Sequence, residues 1–295
     1  MFDSVDAVAE AFRGQAYVAG RDVATQVYLA TGLKKPLLVH GPGGSGRSAL
    51  ARALANTLGT ELFEVHCHTA IEAAETTHSW DTGRQLLHLR EAEAAGKSLE
   101  RARSEAFSVP FLLPGPILRA FQSPSRAVLL VREIDRASEA FQQWLADALT
   151  AFRVEMPGFG PVTAASPPVV VLTASDPNAV FDALGHRCLA ISLSYPQFEV
   201  EVEILLRHVA GLSRPLAAQV SNFLGRLRKQ PLVLRPGLDE SLDWARALVT
   251  LHVATLTPEL VEQTVGCILK DPRDIAEFNN HKFVAMLGGR VNLTG

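Results

Sequence analysis

An α/β fold with a parallel sheet, followed by an all-helical segment, is predicted by three observations. Short apolar runs alternate with helix-like stretches through the first two thirds of the chain, as parallel strands joined by crossover helices require. A glycine-rich turn, Gly41-Pro-Gly-Gly-Ser-Gly-Arg-Ser48, joins the first of these runs to the helical pattern that follows it. Beyond Pro196 the strand signals stop, and only helical periodicities separated by Gly and Pro remain.

Taken in order, Pro36-Leu-Leu-Val-His40 reads as a short buried strand and Ser48–Ala55 as a helix. Glu61–His66 is a second strand, and Ala70–Gly96 is mostly helical in pattern. Ala127–Val131 is a third buried strand, followed by a helix over Ser138–Phe152. Phe152–Met156 and Val162–Ala164 flank Pro157-Gly-Phe-Gly160, which predicts a hairpin. Val169–Thr173 and Leu189–Leu193 supply two more strands. Helices are expected over 197–211, 215–229, 239–252 and 258–270. A boundary near Ser194–Pro196 divides residues 1–195 from a helical domain at 196–275, and residues 276–295 form a C-terminal tail, loose from Asn279 onward.

Composition narrows the class. With 295 residues, 47% hydrophobic and 20% charged, the chain can bury a large core and a smaller second one. A net charge of −3 gives no overall electrostatic attraction to nucleic acid or an anionic membrane, so neither is expected as a partner. No apolar run is long enough to span a bilayer, and the first residues lack a basic segment followed by an apolar one, so the expected location is cytoplasmic. Cys67, Cys188 and Cys267 are far apart and odd in number, which argues against a disulfide framework.

The turn at Gly41–Ser48 has the spacing of a phosphate-binding P-loop, G-x-x-x-x-G-K-[ST], with Arg47 at the lysine position. Gly41, Gly43, Gly44 and Gly46 let the backbone curl until its N–H groups, with that of Ser45, converge on phosphate oxygens. The following helix N-terminus adds partial positive charge. Ser48 is placed to help coordinate a metal ion. The loop therefore predicts ATP or ADP as ligand and a P-loop nucleotide-binding fold.

Longer words narrow this further: Leu37-Leu-Val-His-Gly-Pro-Gly-Gly44, Trp80 with Arg84-Gln-Leu-Leu87 and Leu89-Arg-Glu-Ala-Glu93, Glu133-Ile-Asp-Arg-Ala137, Phe152–Pro157, Pro167–Thr173, Arg187-Cys188 and Leu242–Leu248. Over roughly residues 15–275 the chain resembles the MoxR group of AAA+ proteins, most closely the CoxD-like branch. The resemblance implies a three-layer αβα P-loop domain with a parallel sheet and a small all-helical lid. It also implies a homo- or hetero-oligomeric ring such as a hexamer, a von Willebrand factor A domain partner, and chaperone-like maturation of a metalloenzyme client. In such a ring Thr69–His78 would face the pore, and the hairpin near Pro157–Gly160 would contact substrate.

Residue by residue, the machinery implied by the resemblance is altered. Val128–Val131 should lead into Asp-Glu, the aspartate holding Mg²⁺ and the glutamate activating water; it leads into Arg132-Glu133. A water-orienting asparagine is replaced by Ser175 in Thr173-Ala-Ser175. Arg187 matches the arginine that reaches a neighbouring subunit's γ-phosphate. At about 5 Å and an effective dielectric of about 20, one unit-charge pair is worth about 3 kcal/mol. Reversing that charge beside a divalent ion costs on the order of 10 kcal/mol at the upper end. This disfavours a normal Mg²⁺ site, while Arg47 and Arg132 can neutralise a triphosphate without metal.

The bland readings are equally concrete. Glu133 can pair with Arg132, Ser175 can be a satisfied strand end, and Arg246 can belong to a salt-bridged helix face. His66 and His68 share one face of a strand with Cys67 on the other, so no metal site is expected there. Arg226-Leu-Arg-Lys229 with Arg235 reads as a solvated helix end and not a nucleic-acid patch. Two functional readings follow: a catalytically impaired AAA+ subunit that binds nucleotide, with Glu133, Ser175 and Arg187 as a weakened catalytic set, or an active ATP-hydrolysing remodeller.

Overall fold

The computed structural model describes residues 2–156, 159–278 and 280–287. Nine strands are assigned among these residues: β1 (Leu37–His40), β2 (Leu62–His66), β3 (His78–Trp80), β4 (Leu112–Pro114), β5 (Val128–Arg132), β6 (Arg153–Met156), β7 (Gly160–Thr163), β8 (Val169–Ala174) and β9 (Leu189–Ser192). Five of them form one sheet in the order β2-β5-β8-β1-β9. The β2–β5, β5–β8 and β8–β1 pairs are parallel, with His66 opposite Arg132 and Val131 opposite Leu172. Because helices cover both faces, β8 is buried along its whole length and reads as a continuous apolar run. The α/β expectation and the parallel sheet are borne out, and each sheet strand lies within two residues of its expected bounds.

The chain divides into two compact units. The first comprises residues 1–8, 22–40 and 51–191; the second comprises 9–21, 41–50 and 192–295. The first unit's core runs from Phe63 and Val65 through Leu129, Val131 and Leu172 to Phe141 and Leu145 of the helix Glu139–Ala151. That helix is capped by Ser138 Oγ, which accepts from Phe141 N–H, and it ends on Phe152 in the left-handed region. The second unit packs the helices Phe198–His208, Arg214–Leu227, Leu238–Thr250 and Pro258–Ile268 around Trp244. Trp244 is fully buried beside Phe223, and its indole N–H donates to Thr264 Oγ1 at 2.9 Å.

Residues 70–96 are mostly helical, as expected, in Ala73–Thr77 and Thr82–Ala94, but are interrupted at 78–80 by β3, which pairs antiparallel with β4, whose partner residues lie more than thirty positions further along the chain. Local periodicity carries no trace of so distant a pairing. The loose end from Asn279 is instead helical over Asn280–Leu287, with Phe283 buried against Phe223 and Phe278. Asn279 and residues 288–295 lie outside the described residues, as do Pro157 and Gly158 of the hairpin turn; β6 and β7 pair on either side of it.

Candidate nucleotide site

The glycine loop belongs to the second unit, and β1 delivers the chain to it at His40. Gly41 has φ +152°, and a Cβ there would lie 2.1 Å from the Leu193 carbonyl oxygen, so no side chain fits. Gly44 has φ +69°, and its Cβ would lie 2.5 Å from Gly237 Cα. The Leu238 N–H donates to the Gly44 carbonyl at 2.7 Å, so the start of the helix Leu238–Thr250 forms the back wall of the loop. Arg47 and Ser48 open the helix Arg47–Leu58. Ser45 is 9% exposed, and its Oγ has no hydrogen-bond partner among the described residues. A buried hydroxyl without a partner, set in a loop that excludes side chains at a helix N-terminus, fits a phosphate oxygen. A cavity of about 230 Å³ adjoins Gly43 and Gly44, lined also by Tyr195, Arg235, Asp239 and Lys270. Sequence reasoning missed Tyr195 and Lys270, which converge from segments separated by long stretches of chain.

The tips of β2, β5 and β8 in the first unit form a second cluster. Glu133 follows β5 and sits in the left-handed region (φ +54°, ψ +48°), a conformation that costs a non-glycine residue about 1–2 kcal/mol. Its N–H is held there by Thr173 Oγ1 at 3.0 Å. Its carboxylate accepts from Arg136 Nη1 at 2.7 Å, and His66 Nε2 lies 3.8 Å away. The Arg136 hydrogen bond, helped by the charges of Arg136, His66 and Arg132, holds the Glu133 carboxyl below the usual carboxylate range against the opposing pull of partial burial. The expected pairing with Arg132 is thereby corrected: Arg132 Nη1 points instead towards Glu64 Oε2 at 3.9 Å, and its buried Nε has no hydrogen-bond partner among the described residues. Arg136 lies three positions after Glu133, and the turn Ile134–Arg136 folds the guanidinium back over the carboxylate.

Ser175 joins this cluster through its backbone. Asp135 Oδ2 accepts from the N–H groups of Ser175 and Asp176 at 2.9 and 3.0 Å, while its buried Oδ1 has no hydrogen-bond partner among the described residues. Asp135 thus fixes the end of β8 beside Glu133, a role that spacing alone does not reveal. Cys67, buried behind them, is pushed up to about 12 by desolvation and by the charges of Asp135 and Glu133.

Arg187 is engaged elsewhere in the same unit: Nε donates to Thr150 Oγ1 at 2.8 Å and Nη1 donates to the Ala183 carbonyl. Arg246 pairs with Asp243 at 2.9 Å on an exposed helix face. The solvated reading of Arg226–Lys229 is corrected at Arg228, which is 8% exposed and bound bidentately to Glu201. His66 turns towards Glu133 and His68 towards Glu75. Around Glu133 the donor set does not fit a divalent cation: its carboxylate is committed to Arg136, Arg132 stands beside it, and only one Asp135 oxygen is open.

A parallel sheet with a glycine loop after its first strand defines a P-loop nucleotide-binding domain of the AAA+ type. The chain belongs to the AAA domain family (dynein-related subfamily), whose sequence profile matches residues 36–188. No curated protein matches it in sequence. Among solved structures it is similar to a point mutant of Thermotoga maritima RuvB, at 15% identity over 97% of this chain and 85% of that one, with a TM-score of 0.50. The Thermotoga maritima RuvB Holliday junction branch migration motor aligns at 14% identity over 97% and 85% with a TM-score of 0.48. At these identities the likeness concerns the fold alone.

Proposed function

We propose that this chain is a nucleotide-binding, ring-forming AAA+ subunit of the MoxR type and CoxD-like branch, with impaired ATP hydrolysis. One observation carries this reading: Arg132 stands where the family resembled has a metal-side carboxylate, and the adjacent Glu133 is held by Arg136. A general base works by accepting a proton, and a carboxylate stabilised as the anion by a guanidinium is a weaker base. Gly41, Gly43, Gly44, Ser45, Gly46, Arg47 and Ser48 cradle the phosphates of ATP or ADP, and Arg132 adds charge, so that binding has little need for Mg²⁺. Residues 1–195 form the nucleotide domain and 196–275 the lid. Arg187 serves a neighbouring subunit once released from Thr150. The resemblance assigns the protein a chaperone-like part in maturing a metalloenzyme client, alongside a von Willebrand factor A domain partner. A net charge of −3 supports a protein client over nucleic acid.

The second reading, an active ATP-hydrolysing remodeller, is favoured by Glu133 itself: the carboxylate is present and its side chain stays 28% exposed. Binding of a fluorescent ATP analogue, with and without Mg²⁺, tests the first reading. Affinity that survives chelation of the metal is expected, and affinity that vanishes with it contradicts the proposal.

A further inference from the structure

The phosphate loop leans on a turn whose own position is fixed by a buried ion pair. Glu201 is 1% exposed and Arg228 is 8% exposed. Arg228 Nη1 donates to Glu201 Oε2 at 2.9 Å and Nη2 donates to Oε1 at 2.7 Å, a two-pronged pair. The rest of the guanidinium is spent on the turn: Nε donates to the Pro236 carbonyl at 2.8 Å, and Nη2 lies 3.3 Å from the Gly237 carbonyl and 2.9 Å from Ser241 Oγ. Glu201 is in turn fixed by the hydroxyls of Ser221 at 3.1 Å and Ser241 at 2.7 Å. One carboxylate thus ties together the helices Phe198–His208, Arg214–Leu227 and Leu238–Thr250.

Gly237 is where this network meets the loop. A Cβ at Gly237 would lie 2.5 Å from Gly44 Cα and 2.9 Å from the Gly43 carbonyl oxygen, and the next residue, Leu238, donates its N–H to Gly44. Two backbones therefore touch with no side chain between them, so a shift of the turn displaces the loop. A hydrophobic pair of similar volume would pack these helices at least as well. It could not grip the Pro236 and Gly237 carbonyls, which only a planar, multi-pronged donor reaches together.

We propose that Arg228, oriented by Glu201, is a positioning residue for the phosphate loop: it clamps the Pro236–Gly237 turn and through it holds Gly44 and Ser45 in the phosphate-accepting shape. This rests on the nucleotide-binding reading above, but its geometry can be tested without nucleotide. Arg228→Lys keeps the charge and loses the fork; Ser241→Ala removes one partner with less risk to folding. Val261→Ala, a truncation in the buried core of the same unit, controls for general destabilisation.

Two readouts are taken on the full chain: affinity for a fluorescent ATP analogue, and peptide-resolved hydrogen exchange over residues 37–50. In Arg228→Lys the affinity is expected to fall about tenfold, the consequence of losing one or two charge-assisted hydrogen bonds. Exchange in the loop should rise, and Ser241→Ala should show the same pattern more weakly. Val261→Ala should leave both readouts at the level of the native protein. Equal losses in Val261→Ala and Arg228→Lys would reduce Arg228 to a structural role and overturn the proposal. So would unchanged loop exchange in Arg228→Lys and Ser241→Ala. If the native protein binds no nucleotide, the parent reading fails, and selective loop exchange in the two variants still decides the positioning claim.

Discussion

Arg136 reaches back over a single tight turn to place Nη1 2.7 Å from Glu133 Oε2, so the carboxylate is neutralised by its own chain. The contact depends on the left-handed backbone at Glu133, which Thr173 Oγ1 stabilises. The consequences of this pair differ with pH and with the charges around it.

The pair makes stability depend on acid. Because the folded Glu133 carboxyl lies below its ordinary value of 4.5, the pair contributes fully above that value and is lost as pH falls through the folded one. Arg136→Gln should lower stability near neutral pH by about 0.5–1 kcal/mol, a modest figure because Arg136 is exposed to solvent. Thermal melts of the native protein and the variant should differ at neutral pH and converge in acid, once the carboxyl is protonated in the folded state. An equal gap under both conditions would mean that the arginine acts by packing and not by charge.

Two desolvated thiols, the buried Cys67 and the half-buried Cys188, should be inert. Cys67 and Cys188 are both pushed up to about 12 chiefly by burial, so almost no thiolate forms at pH 8. Alkylation of the native protein followed by peptide mass analysis should leave both unmodified, with labelling only after denaturation. Rapid native labelling of Cys67 would contradict the packing behind β5.

Gly44→Ala should damage both the loop and the fold. The left-handed backbone costs about 1–2 kcal/mol, and the contact with Gly237 Cα adds backbone strain on top of it. Melting should fall by several degrees, on the order of 2–4 °C for each kcal/mol in a chain of this size. Affinity for ATP should fall further than the melting temperature alone accounts for. A neutral result would mean that loop and turn separate readily.

Much of this was legible before the structure. The sheet strands are short apolar runs bounded by turn residues, and burial on both faces leaves little ambiguity about what such runs become. The loop was legible because its glycines answer a local steric demand, visible as spacing. β3 was not, because its partner lies far along the chain and its three residues carry no pattern of their own. At the candidate site, the sequence identified Arg132 as the altered position and Glu133 as the retained glutamate, but not the contacts that decide their state. Arg136 acts through the turn at Glu133, and Asp135 acts through backbone N–H groups of another strand. Burial of Arg228 is not legible in the sequence, because a basic run looks solvated until its buried partner, twenty-seven residues earlier, is placed beside it. The helix Asn280–Leu287 escaped notice because its anchor, Phe283, packs on distant aromatics.

Charge reversal at Arg132, with Arg47 in the loop, is proposed to silence hydrolysis while leaving nucleotide binding intact. ATP turnover, with and without Mg²⁺, should be measured for the native protein beside Arg47→Lys/Arg132→Asp. The native protein is expected to bind ATP but scarcely turn it over, and the double variant to show Mg²⁺-dependent hydrolysis. Mg²⁺-stimulated turnover by the native protein that Glu133→Gln abolishes would contradict this proposal and establish a working ATPase.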